Sequence, residues 1–246
     1  MNAKEADRLA IDISAALESD RQDIAHSLLE PTLSERTPFR YLDRIGTGLV
    51  TSQIYSLYTY LDNIAADQTE GGWVVIAAAL WQQYDQDPPN VFERSRGYIT
   101  HADVWYAADI FTERVPGPAL VEDFDTALNL LENWRVDENR WIRRSVGVSA
   151  HFWAKRSRGE PSLTNNAKRL LHFLTPMFGE WEMDATKGIA WGLKTLGRNY
   201  PEQVTAWLVD DILPGKPRYR AHMLRKATLY LTEEQRDTIY ALSKFE

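Results

Sequence analysis

The sequence predicts an all-α fold, because its apolar residues recur at helical spacing and no stretch alternates apolar and polar residues as a half-buried strand does. The clearest stripe has Phe124, Ala127, Leu128 and Leu131 at positions i, i+3, i+4 and i+7, with Trp134 one turn further on. A second stripe with the same spacing contains Ala167, Leu170, Leu171 and Leu174. A third has Val204, Trp207, Leu208 and Ile212 at positions i, i+3, i+4 and i+8, which also share one helix face.

Prolines and glycines interrupt the chain at intervals of one helix or one helix pair. We expect about a dozen helices of roughly 10–18 residues with short connections. Pro201 is predicted to open a helix, whereas the stretch from Asp85 to Ile99, rich in Asp, Pro, Arg and Gly, is predicted to be the loosest segment before a helix at Trp105.

The element lengths favour stacked antiparallel helix pairs, that is, HEAT-like repeats forming a curved α-solenoid. A globular helical bundle is the alternative, because self-similarity between the pairs is weak. We predict a single domain over residues 1–246, with an acidic N-terminal part at about 1–97 and a basic, motif-bearing part at about 98–230.

The composition excludes several kinds of site and makes a membrane-spanning or secreted protein unexpected. The chain has no cysteine, which excludes disulfides, thiolate nucleophiles and cysteine-ligated metal sites. Its N-terminus lacks the apolar region of a signal peptide, and its longest apolar run, Trp73 to Trp81, is too short to cross a bilayer. These features predict a soluble, cytoplasmic protein.

Charge is unevenly distributed along the chain. The formal net charge is −7, but residues 134–230 hold 17 Lys and Arg against 9 Asp and Glu, a local net of +8. The remaining residues carry a net of −15. An asymmetry of this kind can mark a face that binds a polyanion, and chance fluctuation is the alternative.

Several common sites have no signature here. The histidines lie scattered, without the spacing of metal ligands, and Gly46-Thr-Gly48 lacks the other glycines of a phosphate loop. We therefore expect Gly46-Thr-Gly48 to be a turn or a helix-packing feature. No metal and no cofactor is expected.

Trp105 and Asp109 stand four residues apart, so a helix would present an indole and a carboxylate on one face. A flat aromatic surface beside a negative charge suits a substrate that develops positive charge near a sugar. A core tryptophan beside a solvated aspartate is the alternative.

Two further segments accompany that pair. Asn139-Arg-Trp141-Ile-Arg143-Arg144 places an indole before two guanidinium groups at a predicted helix start, and Lys187-Gly-Ile-Ala-Trp191 is followed by Asn199-Tyr-Pro-Glu202. In this order, residues 98–230 resemble the DNA alkylation repair family, the AlkD-type HEAT-repeat DNA glycosylases. The chain departs from the family pattern at Tyr106, where an acid is frequent, and at Tyr200, which is inserted between Asn199 and Pro201.

The resemblance implies a monofunctional DNA glycosylase that excises cationic alkylated purines, of the 3-methyladenine or 7-methylguanine type, from duplex DNA. It implies that Asp109 is the catalytic carboxylate. It also implies that Trp105, Arg144 and Trp191 line a cleft for the lesion nucleotide, with Arg143 and Lys187 as further DNA-binding residues. The expected partner is double-stranded DNA containing alkylated bases. The protein is expected to act as a monomer, and no association with a membrane is expected.

Two other functions stay open. Helical solenoids commonly serve as non-catalytic protein-binding scaffolds, and the acidic part of the chain would suit that role. A DNA-structure-binding relative with altered catalysis is the second.

Overall fold

The predicted all-α class is confirmed. The computed structural model describes residues 1–215 and 218–243, and these residues form helices, turns and irregular segments without a β-strand. Contacts divide the chain into two compact units, Met1–Val115 and Pro116–Glu246. The pairing of helices into HEAT-like repeats and the single-domain organisation stay predictions.

The first unit is built around a helix that is buried along almost its whole length. Its α-helices are α1 (Ala3–Glu18), α2 (Gln22–Ser34), α3 (Phe39–Thr47), α4 (Ile54–Ala66), α5 (Glu70–Trp81), α6 (Pro88–Ala102) and α7 (Trp105–Arg114). Every residue of α5 from Gly72 to Leu80 is buried, and α3 and α7 pack against this helix. The long apolar run is therefore the core of this unit.

Gly46 allows α3 to approach α5 closely. A Cβ at this position would lie 2.4 Å from the Val75 carbonyl oxygen and 2.7 Å from the Ala78 Cβ, so no larger residue fits there without moving the helices apart. Gly46 is thus the helix-packing feature that the sequence predicts.

The prediction of a loose segment at Asp85–Ile99 is wrong. Residues 88–99 lie in α6, whose first turn contains the two prolines. Proline is tolerated there because the first N–H groups of a helix have no intrahelical acceptor. The Asp87 carboxylate caps the same turn by accepting a hydrogen bond of 3.2 Å from the Asn90 N–H, so the Asp-Pro-Pro sequence begins a helix instead of preventing one.

The second unit consists of long and very short helices. Its α-helices are α8 (Pro116–Glu122), α9 (Phe124–Leu130), α10 (Arg140–Ser157), α11 (Thr164–Leu174), α12 (Met183–Asn199), α13 (Pro201–Ala206), α14 (Ala221–Ala227) and α15 (Glu233–Ser243). Short 3₁₀ turns cover Asn133–Val136, Pro161–Leu163, Thr175–Gly179 and Leu213–Gly215, and a π-helical segment covers Trp207–Ile212.

The three apolar stripes lie in this second unit, and most of their residues are buried. Leu128, which is half-buried, is the exception. The helices that carry two of the stripes are shorter than predicted, however, since Trp134 lies in a 3₁₀ turn and Trp207 begins the π-helical segment. Pro201 occupies the first turn of α13, as its position predicts.

Helices α10 and α12 form the most intimate contact of the second unit. A Cβ on Gly147 would lie 2.3 Å from the Ile189 backbone, and one on Gly192 would lie 2.5 Å from the Gly147 carbonyl oxygen. At the far end of the pair, the Asn199 side chain donates a hydrogen bond of 2.7 Å to the Ala154 carbonyl. Backbone-to-backbone packing therefore fixes the side chains of α10 relative to those of α12.

No helix within the described ranges is both long enough and apolar enough to span a membrane.

Candidate nucleic-acid interface

Helix α7 presents Trp105 and Asp109 away from the core of the first unit. Trp105 begins the helix two residues after Asp103, whose left-handed backbone (φ 44°) ends α6. The Trp105 side chain is 56% exposed and meets the Tyr106 ring edge-on, with 5.9 Å between ring centroids. Asp109 is half-buried one turn later. An exposed indole of this size is unusual for a core residue and fits a binding surface.

The opposite side of α7 anchors the helix. Phe111 is fully buried between Trp73 and Tyr98, at centroid distances of 6.0 Å and 5.8 Å. At the end of the helix, Arg114 binds Asp43 of α3 through two hydrogen bonds of 2.5 Å and 3.2 Å. The buried ring and the two-point ion pair hold α7 in one orientation, and so fix where Trp105 and Asp109 point.

Trp141 and Arg143 organise the start of α10. The Asn139 side chain accepts a hydrogen bond from the Trp141 N–H at 2.8 Å, and the Trp141 indole is buried. Arg143 donates to Glu180 at 2.6 Å and to the carbonyls of Asp137 and Glu138. These contacts give Arg143 a clear structural role in joining the start of α10 to the segment before α12.

The Arg143 guanidinium also controls the ionisation of its partner. Burial alone would raise the pKa of Glu180. The hydrogen bonds from Arg143 and from the Glu182 N–H outweigh that effect and hold the pKa of Glu180 below its usual range. The pair is therefore charged on both sides at neutral pH.

Arg144 is buried, which its predicted role in DNA binding did not anticipate. Only 8% of the residue is exposed, and its Nη1 donates to the Asp184 carbonyl at 3.2 Å. Its stem crosses α12 where Gly188 leaves room: a Cβ on Gly188 would lie 2.7 Å from the Arg144 Cγ. The charge of Arg144 is thus fixed at the first turns of α12.

Lys187 and Trp191 lie one helical turn apart on α12. Lys187 is exposed, and its Nζ lies 3.9 Å from the Asp184 carboxylate. Trp191 is half-buried and stacks on His151 of α10, with ring centroids 4.0 Å apart and planes inclined by 23°. The structure therefore brings Arg144, Lys187 and Trp191 to the α10–α12 pair of the second unit, while Trp105 and Asp109 belong to α7 of the first.

Trp191 forms part of a basic cleft of about 430 Å³ in the second unit. The lining residues are His151, Lys155, Arg158, Trp191, Lys194, Thr195, Arg198, Asn199 and Tyr230. Among these residues there are four permanent cations and no carboxylate. Such a cleft is suited to an anionic group.

The pKa of His151 is lowered by its position in this basic cleft. Burial, together with the charges of Lys155 and Lys194, lowers the pKa of His151 to about 4. Its Nδ1 lies 2.7 Å from the Thr195 hydroxyl oxygen, and that hydroxyl donates to the Trp191 carbonyl at 3.1 Å. Because the hydroxyl proton is engaged, His151 is the donor in this pair. The imidazole is neutral at physiological pH and holds the Trp191 ring in place.

Sequence reasoning missed this basic cleft. It dismissed the histidines as scattered, although His151 and Lys155, like Lys194 and Arg198, are spaced four apart on their helices and so share a face. That spacing was a usable signal. The contribution of Tyr230 had none, because it comes from a segment far along the chain.

Metal-ligand clusters are not found in the described part of the chain, where no three His, Asp or Glu side chains are grouped so that they could hold an ion.

The described residues thus form an all-helical protein with an exposed indole beside a carboxylate on α7 of the first unit and a basic helix pair, α10 and α12, in the second. A family model described as DNA alkylation repair enzyme matches residues 64–231. The chain belongs to this family. No curated protein and no solved structure matches the chain.

Membership of the family indicates a role in the repair of alkylated DNA. The matched segment contains the α7 pair, the α10–α12 pair and the whole basic cleft.

Proposed function

We propose that this protein is a monofunctional DNA glycosylase that hydrolyses the N-glycosidic bond of cationic alkylated purines, such as 3-methyladenine or 7-methylguanine, in duplex DNA. The observation that carries the proposal is the exposed Trp105 indole one helical turn from Asp109, on an anchored helix inside the family segment.

A single carboxylate is enough for this reaction. Ordinary glycoside hydrolysis uses one carboxylic acid to protonate the leaving oxygen and a second carboxylate at the sugar. An alkylated purine already carries a positive charge and departs as a neutral base, so it needs no acid. Asp109 stabilises the oxocarbenium-like sugar electrostatically and orients the attacking water.

The tryptophans and cations bind the nucleic acid. Trp105 contributes a flat apolar surface for the deoxyribose, and the exclusion of water beside it strengthens the attraction between Asp109 and the sugar cation. Trp191 is held by its stack on His151 and contacts the DNA in the same way.

Arg144 and Lys187 attract backbone phosphates. The hydrogen bond from Arg144 to Asp184 fixes a guanidinium at the first turns of α12, where the helix N-terminus also favours an anion. Arg143 is primarily a structural residue, because its guanidinium is held by Glu180 and two carbonyls.

The substrate range follows from the chemistry of the leaving group. Undamaged purines are not excised, because an uncharged base would have to leave as an anion. One carboxylate cannot make so poor a leaving group depart at a useful rate. Monomeric action and a cytoplasmic location belong to the same proposal and rest on the sequence predictions.

Release of free methylated base from alkylated duplex DNA tests the proposal. Asp109→Asn removes the charge and keeps the shape, so single-turnover excision of 7-methylguanine should fall by about 10²–10³-fold. The matched control is Glu113→Gln, since Glu113 is exposed on the same helix one turn further on. It should excise at the wild-type rate.

Equal excision rates for Asp109→Asn and Glu113→Gln would show that Asp109 is not the catalytic carboxylate. If the wild-type protein releases no base but binds duplex DNA, it is a DNA-binding relative with altered catalysis. If it does neither, the scaffold function is the better interpretation.

A further inference from the structure

We infer that the basic cleft lined by Lys155, Arg158, Lys194 and Arg198 is a binding site for a phosphate group carried by a DNA strand. The identity of the strand as DNA rests on the proposed function; the preference for phosphate rests on the cleft itself. Trp191 is the only predicted site residue that touches this cleft.

The first argument is unbalanced charge. The four cations of the cleft form no ion pair with a carboxylate of the described residues. Many other arginines do form one, such as Arg143, Arg114 and Arg169. Four cations around a space of about 430 Å³ repel one another. An anion that enters the cleft relieves this repulsion, and the tetrahedral oxygens of phosphate can accept from several donors together.

The second argument is that the cleft is built on rigid elements. Lys155 and Arg158 come from the last turn and the end of α10, and Lys194 and Arg198 from α12. The glycine contacts and the Asn199–Ala154 hydrogen bond join the two helices. Arg158 has a left-handed backbone (φ 52°) followed by Gly159 (φ 75°), so the chain turns sharply where this guanidinium is presented.

The third argument concerns Tyr230. Lys194 and Arg198 both lie over its ring, at 5.7 Å and 5.5 Å from the centroid. A shared aromatic ring orients two long side chains that would otherwise be mobile, at a small gain in energy for each. It holds them toward the cleft without neutralising them, as a carboxylate would.

Helix dipoles alone do not account for the cluster. Cations are favoured near helix C-termini, which explains one basic residue at the end of each helix. They do not explain Lys194, which lies more than one turn before the end of α12 and lines the same cleft as Arg198. A bound anion accounts for it.

The test compares two double variants with the same change of charge. Lys194→Ala/Arg198→Ala removes two cations of the cleft. Lys4→Ala/Arg8→Ala removes a lysine and an arginine with identical spacing from the exposed face of α1. Affinity for a duplex oligonucleotide is measured against salt concentration. The cleft variant should lower the log–log slope by about one to two units, and the α1 variant should leave it unchanged.

A third variant guards against loss of structure. Lys194→Arg/Arg198→Lys keeps both charges and should keep the wild-type slope, and the melting temperature of each variant is recorded. Equal slopes for the cleft variant and the α1 variant, in folded proteins, would overturn the inference.

The source of the phosphate is decided with smaller probes. Inorganic phosphate and short strands carrying a 5′-phosphate or a 5′-hydroxyl are added while the His151 ring proton is followed by NMR. A bound phosphate should raise the pKa of His151 from about 4. A response to both strands identifies an internal phosphodiester, and a response restricted to the 5′-phosphate identifies a strand end. No response to any probe overturns the site.

Base release measured in parallel separates the two proposals. If the cleft variant lowers the slope as expected while the wild-type protein releases no base, the phosphate site stands and the glycosylase proposal fails. If the wild-type protein excises bases but the cleft variant binds DNA with an unchanged slope, the phosphate site fails alone.

Discussion

At the scale of single residues, the tryptophans of this chain differ in exposure, and the difference separates the predicted site from the core. Trp105 is 56% exposed and Trp141 is 6% exposed. Trp105→Ala should therefore melt within a few degrees of the wild-type protein while losing base excision. Trp141→Ala removes a buried ring and should lower the free energy of unfolding by about 3–5 kcal/mol. A large drop in melting temperature for Trp105→Ala with intact excision at low temperature would make Trp105 a core residue.

His151 makes a second prediction at this scale. Burial and the charges of Lys155 and Lys194 lower its pKa to about 4 in the folded protein, compared with about 6.5 in the unfolded chain. Between pH 6.5 and pH 4, therefore, the imidazole is protonated in the unfolded state but not in the folded state. Its stabilising contribution is complete above pH 6.5 and is lost as the pH falls toward 4. The loss should be on the order of 2 kcal/mol.

Urea unfolding at pH 7 and pH 4.5 measures that loss, with His151→Asn as the comparison. The asparagine amide can still donate to Thr195 but does not titrate, so its stability should fall less over this interval. Identical losses in the two proteins would show that His151 does not carry the pH dependence.

At the scale of elements, close backbone packing of α10 on α12 should be sensitive to a single methyl group. A Cβ on Gly192 would lie 2.5 Å from the Gly147 carbonyl oxygen, whereas one on Gly97, within α6, meets nothing within 4 Å. Gly192→Ala should therefore destabilise the protein by about 1–3 kcal/mol. Gly97→Ala should stabilise it by about 0.5–1 kcal/mol, because alanine is the better helix former.

Thermal unfolding of the two variants checks this prediction. If both alanines raise the melting temperature, the helices can separate without cost, and backbone packing does not fix the positions of Arg144 and Trp191.

Elements also show what sequence could and could not predict. The stripe Ala167, Leu170, Leu171 and Leu174 is buried in α11 as its period requires, since periodicity is a property of neighbouring residues. The α6 helix was missed because Pro88 was interpreted as a breaker when it occupies the first turn. The burial of Arg144 depends on Gly188, 44 positions away in the chain. No local pattern contains that contact.

The same reasoning explains why the basic cleft escaped prediction while Trp105 did not. Trp105 and Asp109 lie on one helix, so their spacing alone places them together. The cleft needs the register between α10 and α12, which glycine contacts determine, and the arrival of Tyr230 from beyond α14. Tertiary contacts of this kind are visible only in the folded chain.

At the scale of the whole molecule, a protein of net charge −7 should bind a polyanion through its local distribution of charge. Residues 134–230 carry a net of +8, and the four cations of the basic cleft lie within this segment. The affinity of the full chain for undamaged duplex DNA should therefore fall linearly with salt on a log–log scale, with a slope of several units if several phosphates are neutralised. Fluorescence anisotropy with a labelled duplex, from low to physiological salt, measures this slope. An affinity that does not change with salt, or no binding at low ionic strength, would mean that the basic segment does not face DNA, and would favour the protein-binding scaffold.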